Sequence, residues 1–303
     1  MYQHCNFFTF ITLFFQRFWL FCLGRLPLSE LASDEIQIGI LALLGITASL
    51  LGTFLILRRM TMLANSLSHT ILLGVVIAYL LFGFTMDLKV MGAAALISAL
   101  LTALFTEGLT KLFRLHEDAS IGLVFSTLFA LGIVLITTMT RNAHISSEII
   151  MGNLDAVKLS DLKLTAMIFA MNTGALLLCF RGYAISSFDG VFAKQIGLSP
   201  RLFHYLLMVQ TALTSIAAFR AVGVVLVLAL FVGPPLIARL FAKRLKSMLL
   251  LSSLLSLIFA IFSVALSRHF LRSHAIALST AGLTATLILV GFVISLVPKW
   301  RQA

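Results

Sequence analysis

The chain has 303 residues, of which 60% are hydrophobic and only 11% are charged. Because a soluble domain typically has about 25% charged residues, this composition excludes an ordinary soluble protein and indicates a membrane protein. The net charge of +11 could indicate nucleic-acid binding. However, Lys and Arg lie mostly in short segments between apolar runs, which is typical of membrane topology. We therefore expect membrane lipid, and no nucleic acid, as a partner.

The apolar runs are long and continuous and lack the alternation of barrel strands, so they predict helices. We expect an all-α, polytopic transmembrane bundle of about eight or nine spans. It divides into an N-terminal interfacial or weakly inserted segment (1–34), a membrane domain (35–298) and a cytoplasmic tail (299–303). Two questions stay open: whether 5–23 inserts, and whether 203–240 holds two full spans. The predicted spans are 36–57, 62–84, 88–105, 121–139, 162–180, 203–219, 222–240, 248–266 and 276–297.

The basic residues predict the orientation of the chain. With Arg58 and Arg59 inside, 13 Lys and Arg residues fall on the inner side and 7 on the outer side. The positive-inside rule favours this choice. It places the segment 181–204 and the C-terminus in the cytoplasm, in a multi-pass protein of the cell inner membrane.

All eleven Asp and Glu residues lie in predicted loops or at the ends of spans. A proton-coupled or sodium-coupled transporter usually keeps a carboxylate within the membrane, so this pattern disfavours secondary transport. The sequence also contains no Walker A motif. If the protein uses ATP, another chain hydrolyses it, and this chain is not an enzyme.

One polar group lies inside a predicted span, in MLANSLSHTILLG. Asn65 and His69 are four residues apart and share a helix face, and Ser66 joins His69 at a spacing of three. His69 lies about 15 Å beyond Arg59, near the middle of a hydrocarbon core about 30 Å thick. An imidazole there can ligate a divalent transition metal or can hydrogen-bond to a neighbouring helix and specify packing. Both interpretations stay open.

The segment 181–204 contains SSFDGVFAKQIGLSPRLFHY. Ser186 or Ser187 could cap a short helix that begins near Asp189, and Gly197 could end it. The helix is either a docking element for a soluble partner or an interfacial helix on the bilayer. Its apolar face would contain Val191, Phe192, Ile196 and Leu198.

The segment AVGVVLVLALFVGPPLIARL places Gly223, Gly233, Pro234 and Pro235 within an apolar run. Such residues predict a broken or re-entrant helix, which membrane proteins tolerate where it is buried in protein or lines a cavity. The alternative is an ordinary kink.

Several segments together resemble the manganese/zinc/iron permeases, the ABC-3 type membrane subunits of metal-ion ABC importers. They are LGTFLILRRMTMLANSLSHTILLGVVIA, EDASIGLVFSTLFALGIVL, IMGNLDAVKLSDL, FDGVFAKQIGLSPRLFHYLLM and AVGVVLVLALFVGPPLIARL, in that order. The resemblance covers roughly 35–298, which is nearly the whole chain.

The resemblance implies a permease of the metal/cobalamin ABC importer type that moves manganese, zinc or iron inward and binds no permanent cofactor. Its partners would be a cytoplasmic ATP-binding subunit, an extracytoplasmic metal-binding protein and a second permease subunit. His69, with Asn65 and Ser66, matches the metal path. A cobalamin/siderophore permease and a secondary metal transporter without an ATPase are the alternatives. The segment matching the family's ATPase-coupling loop contains Asp189, Phe192, Ala193, Ile196, Gly197 and Leu198.

The sequence departs from the family pattern at two positions. Asn65 stands where the family commonly has Asp, and Leu73 stands where Pro is common. An amide oxygen is a weaker metal ligand than a carboxylate. Either the site is tuned differently, or a second, non-identical permease supplies the carboxylate, which is the interpretation we favour.

Overall fold

The computed structural model describes residues 7–23, 30–81, 88–139, 154, 157–274 and 278–300. No strand occurs among these residues, and the predicted all-α class is confirmed. The helices are α1 (Phe7–Cys22), α2 (Ser33–Leu57), α3 (Thr61–Leu81), α4 (Leu88–Leu112), α5 (Glu117–Met139), α6 (Leu159–Leu178), α7 (Phe180–Phe188), α8 (Gly190–Gln195), α9 (Pro200–Val222), α10 (Val224–Phe241), α11 (Leu245–His274) and α12 (Thr280–Trp300).

Many of these helices are long enough to cross a bilayer. Within the described part of the chain, five have both the length and the hydropathy of membrane spans: α2, α5, α6, α11 and α12. The helices α3, α4 and α9 have 21, 25 and 23 residues, which at about 1.5 Å per residue exceeds a 30 Å core. The structure therefore agrees with a polytopic bundle.

Helix α2 is the centre of the bundle, because α3, α6, α7, α9, α10 and α11 all pack against it. Its sequence allows this, since small residues let neighbouring backbones approach closely in membrane proteins. A Cβ atom on Gly45 would lie 3.2 Å from Ser256 Cβ in α11. A Cβ atom on Gly52 would lie only 1.8 Å from the Phe231 carbonyl oxygen in α10.

Ion pairs fasten the end of the bundle at which α2 begins. Arg17 of α1 pairs with Glu35 at 2.5 Å, and Arg268 of α11 pairs with Asp34 at 2.5 Å. Helix α1 has 16 residues and packs against α11. Both ion pairs thus tie the start of the central helix to its neighbours.

Two helices separated at Gly223 occupy the region 203–240. Gly223 has φ 78° and ψ 168°, a conformation that glycine adopts far more readily than other residues. The expected break at Gly233, Pro234 and Pro235 is wrong, because α10 runs continuously through all three.

The physical reason for this continuity lies in the neighbouring helix. A proline inside a helix removes one hydrogen bond and crowds the carbonyl four residues earlier, which for Pro235 belongs to Phe231. That carbonyl faces Gly52 of α2, whose missing Cβ leaves room for it. The close packing of α2 against α10 therefore allows a continuous helix through the two prolines, which the local sequence alone would disfavour.

Candidate functional site

The N-terminal half of α3 carries the polar group that the sequence singled out. Asn65 and His69 are both half-buried, whereas Ser66 is buried at 2% exposure. Neither Ser66 Oγ nor His69 Nδ1 has a hydrogen-bond partner among the described residues, although both atoms are buried. The structure thus holds two buried polar atoms of α3 without a hydrogen-bond partner among the described residues.

Two aromatic rings of α5 fix the position of the His69 imidazole. Its ring centroid lies 5.1 Å from that of Phe125 and 5.1 Å from that of Phe129. These two phenylalanines stack on each other at 5.7 Å. Packing against these two rings restricts the orientation of the imidazole. A side chain that ligates a metal ion must be held in a defined orientation.

Hydroxyl groups join α3 to α4 next to this site. Thr102 Oγ1 donates to Thr70 Oγ1 at 2.8 Å, and Thr70 Oγ1 donates to the Ser66 carbonyl at 3.0 Å. Our sequence interpretation missed this contact. The repeat of hydroxyl residues every four positions along α4 could have revealed it, namely Ser98, Thr102, Thr106 and Thr110.

Among the described residues, His69 belongs to no cluster of the usual strong metal ligands. No group of three or more His, Cys, Asp or Glu residues that could hold a metal occurs in the described ranges. A cation beside His69 would therefore depend on neutral oxygens, such as those of Asn65 and Ser66, or on groups from another subunit.

The short helix α8 forms where the sequence predicted it. Asp189 is its N-cap, and the Asp189 Oδ1 atom accepts from the amides of Val191 and Phe192, both at 2.9 Å. The interpretation of Ser186 or Ser187 as the cap is wrong. Gly197, with φ 81°, ends the helix.

Backbone bonds after α8 complete a Schellman motif, in which Gly197 N donates to Lys194 O and Leu198 N donates to Ala193 O. Ala193 is fully buried, whereas Phe192 and Ile196 are 49% and 47% exposed. An exposed apolar face on a short, well-capped helix is a feature of protein interaction sites.

The segment before α8 is helical rather than a loop, because residues 180–188 form α7. Within it, Ser187 Oγ accepts from Arg58 Nε at 2.9 Å, and Ser186 Oγ accepts from Arg58 Nη2 at 2.5 Å. Arg58 caps the end of α2, and burial lowers the pKa of its guanidinium group, which stays protonated because arginine has a very high intrinsic pKa. The two serines therefore connect α7 to the junction of α2 and α3.

A buried hydrogen-bond network ties α7 to α9 and α6. Tyr183 Oη donates to Gln210 Oε1 at 2.7 Å, and Gln210 Nε2 donates to the Asn172 carbonyl at 3.3 Å. Asn172 Nδ2 donates to Thr214 Oγ1 at 2.9 Å. The helix that leads into α8 is thus anchored inside the bundle.

Comparison with known proteins identifies the family. The model of the ABC 3 transport family matches residues 35–298. The chain belongs to this family. It is therefore a multi-pass membrane permease of the ABC transporter type, a transport subunit rather than a catalyst.

Relatives and a solved structure agree with this family. The chain is 37% identical to a protein of Chlamydia muridarum described as "Probable metal transport system membrane protein", over 96% of this chain and 92% of the relative. It is 36% identical to the manganese transport system membrane protein MntD of Bacillus subtilis, over 70% and 76%. The structure of PsaBC from Streptococcus pneumoniae in complex with Fab superimposes with a TM-score of 0.75 at 29% identity, covering 89% and 92%.

Proposed function

We propose that this chain is the permease subunit of an importer that carries a divalent metal ion, with manganese as the preferred cargo, across the inner membrane. The observation that carries the proposal is the buried His69 Nδ1 in α3, which has no hydrogen-bond partner among the described residues. A buried polar atom without a partner costs roughly 1–3 kcal/mol. A function that needs a free ring nitrogen, such as ligation of a metal ion, would explain why this atom has no partner in the described part of the chain.

The donor set around His69 suits manganese. Oxygen ligands favour manganese, and imidazole serves several divalent transition metals, so the oxygens of Asn65 and Ser66 with one ring nitrogen form a mixed, weak site. Weak binding agrees with transport, because the ion must leave. A second, non-identical permease subunit would supply the carboxylate that Asn65 lacks. Relatives named for manganese transport support this choice of metal, with zinc and iron as the other candidates.

In this proposal, α8 couples the permease to ATP hydrolysis on another subunit. Its exposed Val191, Phe192 and Ile196 would dock a cytoplasmic ATP-binding subunit. A displacement of α8 would pass through α7 to Arg58 at the junction of α2 and α3. An extracytoplasmic binding protein would deliver the ion at the end where α2 begins. In this proposed arrangement the C-terminus would lie in the cytoplasm.

The test is uptake of radioactive manganese into proteoliposomes that contain the permease and its ATP-binding subunit. We expect accumulation that requires ATP, persists without a proton gradient, and is inhibited by unlabelled manganese at lower concentration than by zinc or ferrous iron. Uptake driven by a proton gradient without ATP would contradict the proposal. Stronger inhibition by zinc or iron would reassign the metal alone.

The subunit composition needs a separate measurement. We expect the purified importer to contain two different permease chains in equal amounts. If the importer contains a single permease species and shows full uptake, two copies of this chain form the pore, and Asn65 lines the metal path without a carboxylate from a different chain.

A further inference from the structure

A cleft of about 690 Å³ opens at the end of the bundle where α2 ends and α3 begins. Its walls come from the α2–α3 junction, the end of α4, and the helices α7, α8 and α9. We call it the basic cleft. Among the described residues, five cationic side chains line it: Arg58, Arg59, Lys111, Lys194 and Arg201.

The positive charge of the basic cleft is largely uncompensated. Among the described residues that line it, Glu107 is the one carboxylate, and it already accepts from Lys111 and from Tyr205. Arg58 donates to Ser186 and Ser187, whose hydroxyls carry no charge. His204 adds a further titratable group to the wall. Like charges held together repel one another, so this arrangement favours a bound anion.

Arg59 is kept in the cleft at a cost in backbone energy. It has φ 61°, and the Met60 amide donates to the Leu55 carbonyl at 2.8 Å, as after a helix that ends in a Schellman motif. Glycine is preferred at this position, because a side chain in the left-handed region costs roughly 1–2 kcal/mol. Arg59 therefore occupies the cleft at a cost that glycine would avoid.

The surface next to the cleft is apolar. Leu100 and Leu104 of α4 are 44% and 52% exposed. They lie seven and three residues before Glu107, so one helix face runs from these leucines to Glu107 and Lys111. A cationic cleft at the end of an exposed apolar stripe matches a molecule with an anionic head and hydrocarbon chains.

We propose that the basic cleft binds the phosphate headgroup of an anionic phospholipid from the cytoplasmic leaflet, with an acyl chain along Leu100 and Leu104. Basic pockets between membrane helices on the cytoplasmic side bind lipid headgroups, and guanidinium groups match phosphate geometry. The bound lipid connects the α3 junction with α8, because both contribute to the walls. The proposal requires that this end faces the cytoplasm, but it does not depend on which metal is carried.

The test measures the lipids that stay bound to the purified importer, with its ATP-binding subunit, by native mass spectrometry after transfer from nanodiscs of phosphatidylcholine and phosphatidylglycerol. The variant Arg59→Asn with Arg201→Gln removes two cations, and Asn adopts the left-handed conformation readily. Each cation near an anionic lipid contributes about fivefold in affinity. We expect phosphatidylglycerol to bind on the order of 25-fold more weakly to this variant.

The matched control is Arg239→Gln with Arg244→Gln, two exposed arginines near the α10–α11 junction that do not line the cleft. It should retain phosphatidylglycerol like the unmodified protein. Equal retention by the cleft variant would overturn the proposal. The proposal would also fail if the permease alone retained phosphatidylglycerol but the assembled importer did not, because the ATP-binding subunit would then fill the cleft. If inorganic phosphate binds with the same dependence on Arg59 and Arg201 while no phosphatidylglycerol is retained, the ligand is soluble phosphate and the membrane source is wrong.

Discussion

Two buried polar regions of the same bundle differ in how their hydrogen bonds are satisfied. Around α7, Tyr183, Gln210, Asn172 and Thr214 bond to one another, although Asn172 Oδ1 has no partner among the described residues. In α3, by contrast, neither Ser66 Oγ nor His69 Nδ1 has a hydrogen-bond partner in the part of the chain that the structure describes. Polar side chains therefore have two roles here. The paired group holds a helix in place, and the unpaired group is the better candidate for handling an ion.

The largest expected effect comes from His69. We expect His69→Ala to reduce ATP-dependent manganese uptake by more than about 100-fold, because even groups that only support a metal ligand contribute roughly 10–100-fold. Assembly with the ATP-binding subunit, measured by size-exclusion chromatography, should persist. The measurement is initial uptake in proteoliposomes.

A second variant separates ligation from packing at this position. His69→Phe keeps an aromatic ring beside Phe125 and Phe129 but has no ring nitrogen, and we expect the same loss of uptake. His116→Ala changes an exposed histidine before α5 and serves as the control. Normal uptake by either His69 variant would show that the imidazole only packs.

The paired region should respond in stability rather than in transport. Tyr183→Phe removes the donor to Gln210 Oε1 in a site where Tyr183 has 0% exposure. A buried acceptor left without its donor costs roughly 1–3 kcal/mol, so we expect a lower unfolding temperature and only a modest decrease in uptake. Thermal unfolding of the purified importer measures the change.

A double-mutant cycle sharpens this prediction. In Tyr183→Phe combined with Gln210→Leu, neither partner remains unsatisfied, so the loss should be smaller than the sum of the two single losses by about 1 kcal/mol. Strictly additive losses would mean that the Tyr183–Gln210 bond contributes nothing to the anchoring of α7.

The sequence predicted those features that depend on local pattern. Long apolar runs predicted the helical class, and the spacing of Asn65 and His69 predicted their common position on α3. The pairing of Arg58 with Ser186 and Ser187 could not be predicted, because 128 and 129 residues separate the partners. The local sequence instead predicts Ser186 or Ser187 as the N-cap of the short helix that follows, because serine is common at N-caps. The actual cap, Asp189, follows them directly.

The error at Pro234 and Pro235 has the same origin. The rule that proline interrupts a helix is local, whereas the space for the Phe231 carbonyl is provided by Gly52 in another helix. A pattern within 20 residues contains no information about that neighbour. The structure was needed wherever the partner of a residue lies in a distant span.

The smallest expected effect concerns α8. Asp189→Ala removes the acceptor for the Val191 and Phe192 amides, which typically costs about 1 kcal/mol of helix stability. If docking needs the formed helix, uptake should fall by roughly fivefold at most. Asp189→Asn keeps a side-chain oxygen that caps nearly as well, so uptake should stay near the normal rate. An equal loss in both variants would show that the Asp189 charge, rather than the cap, matters to the ATP-binding subunit, and α8 would then act through its electrostatics.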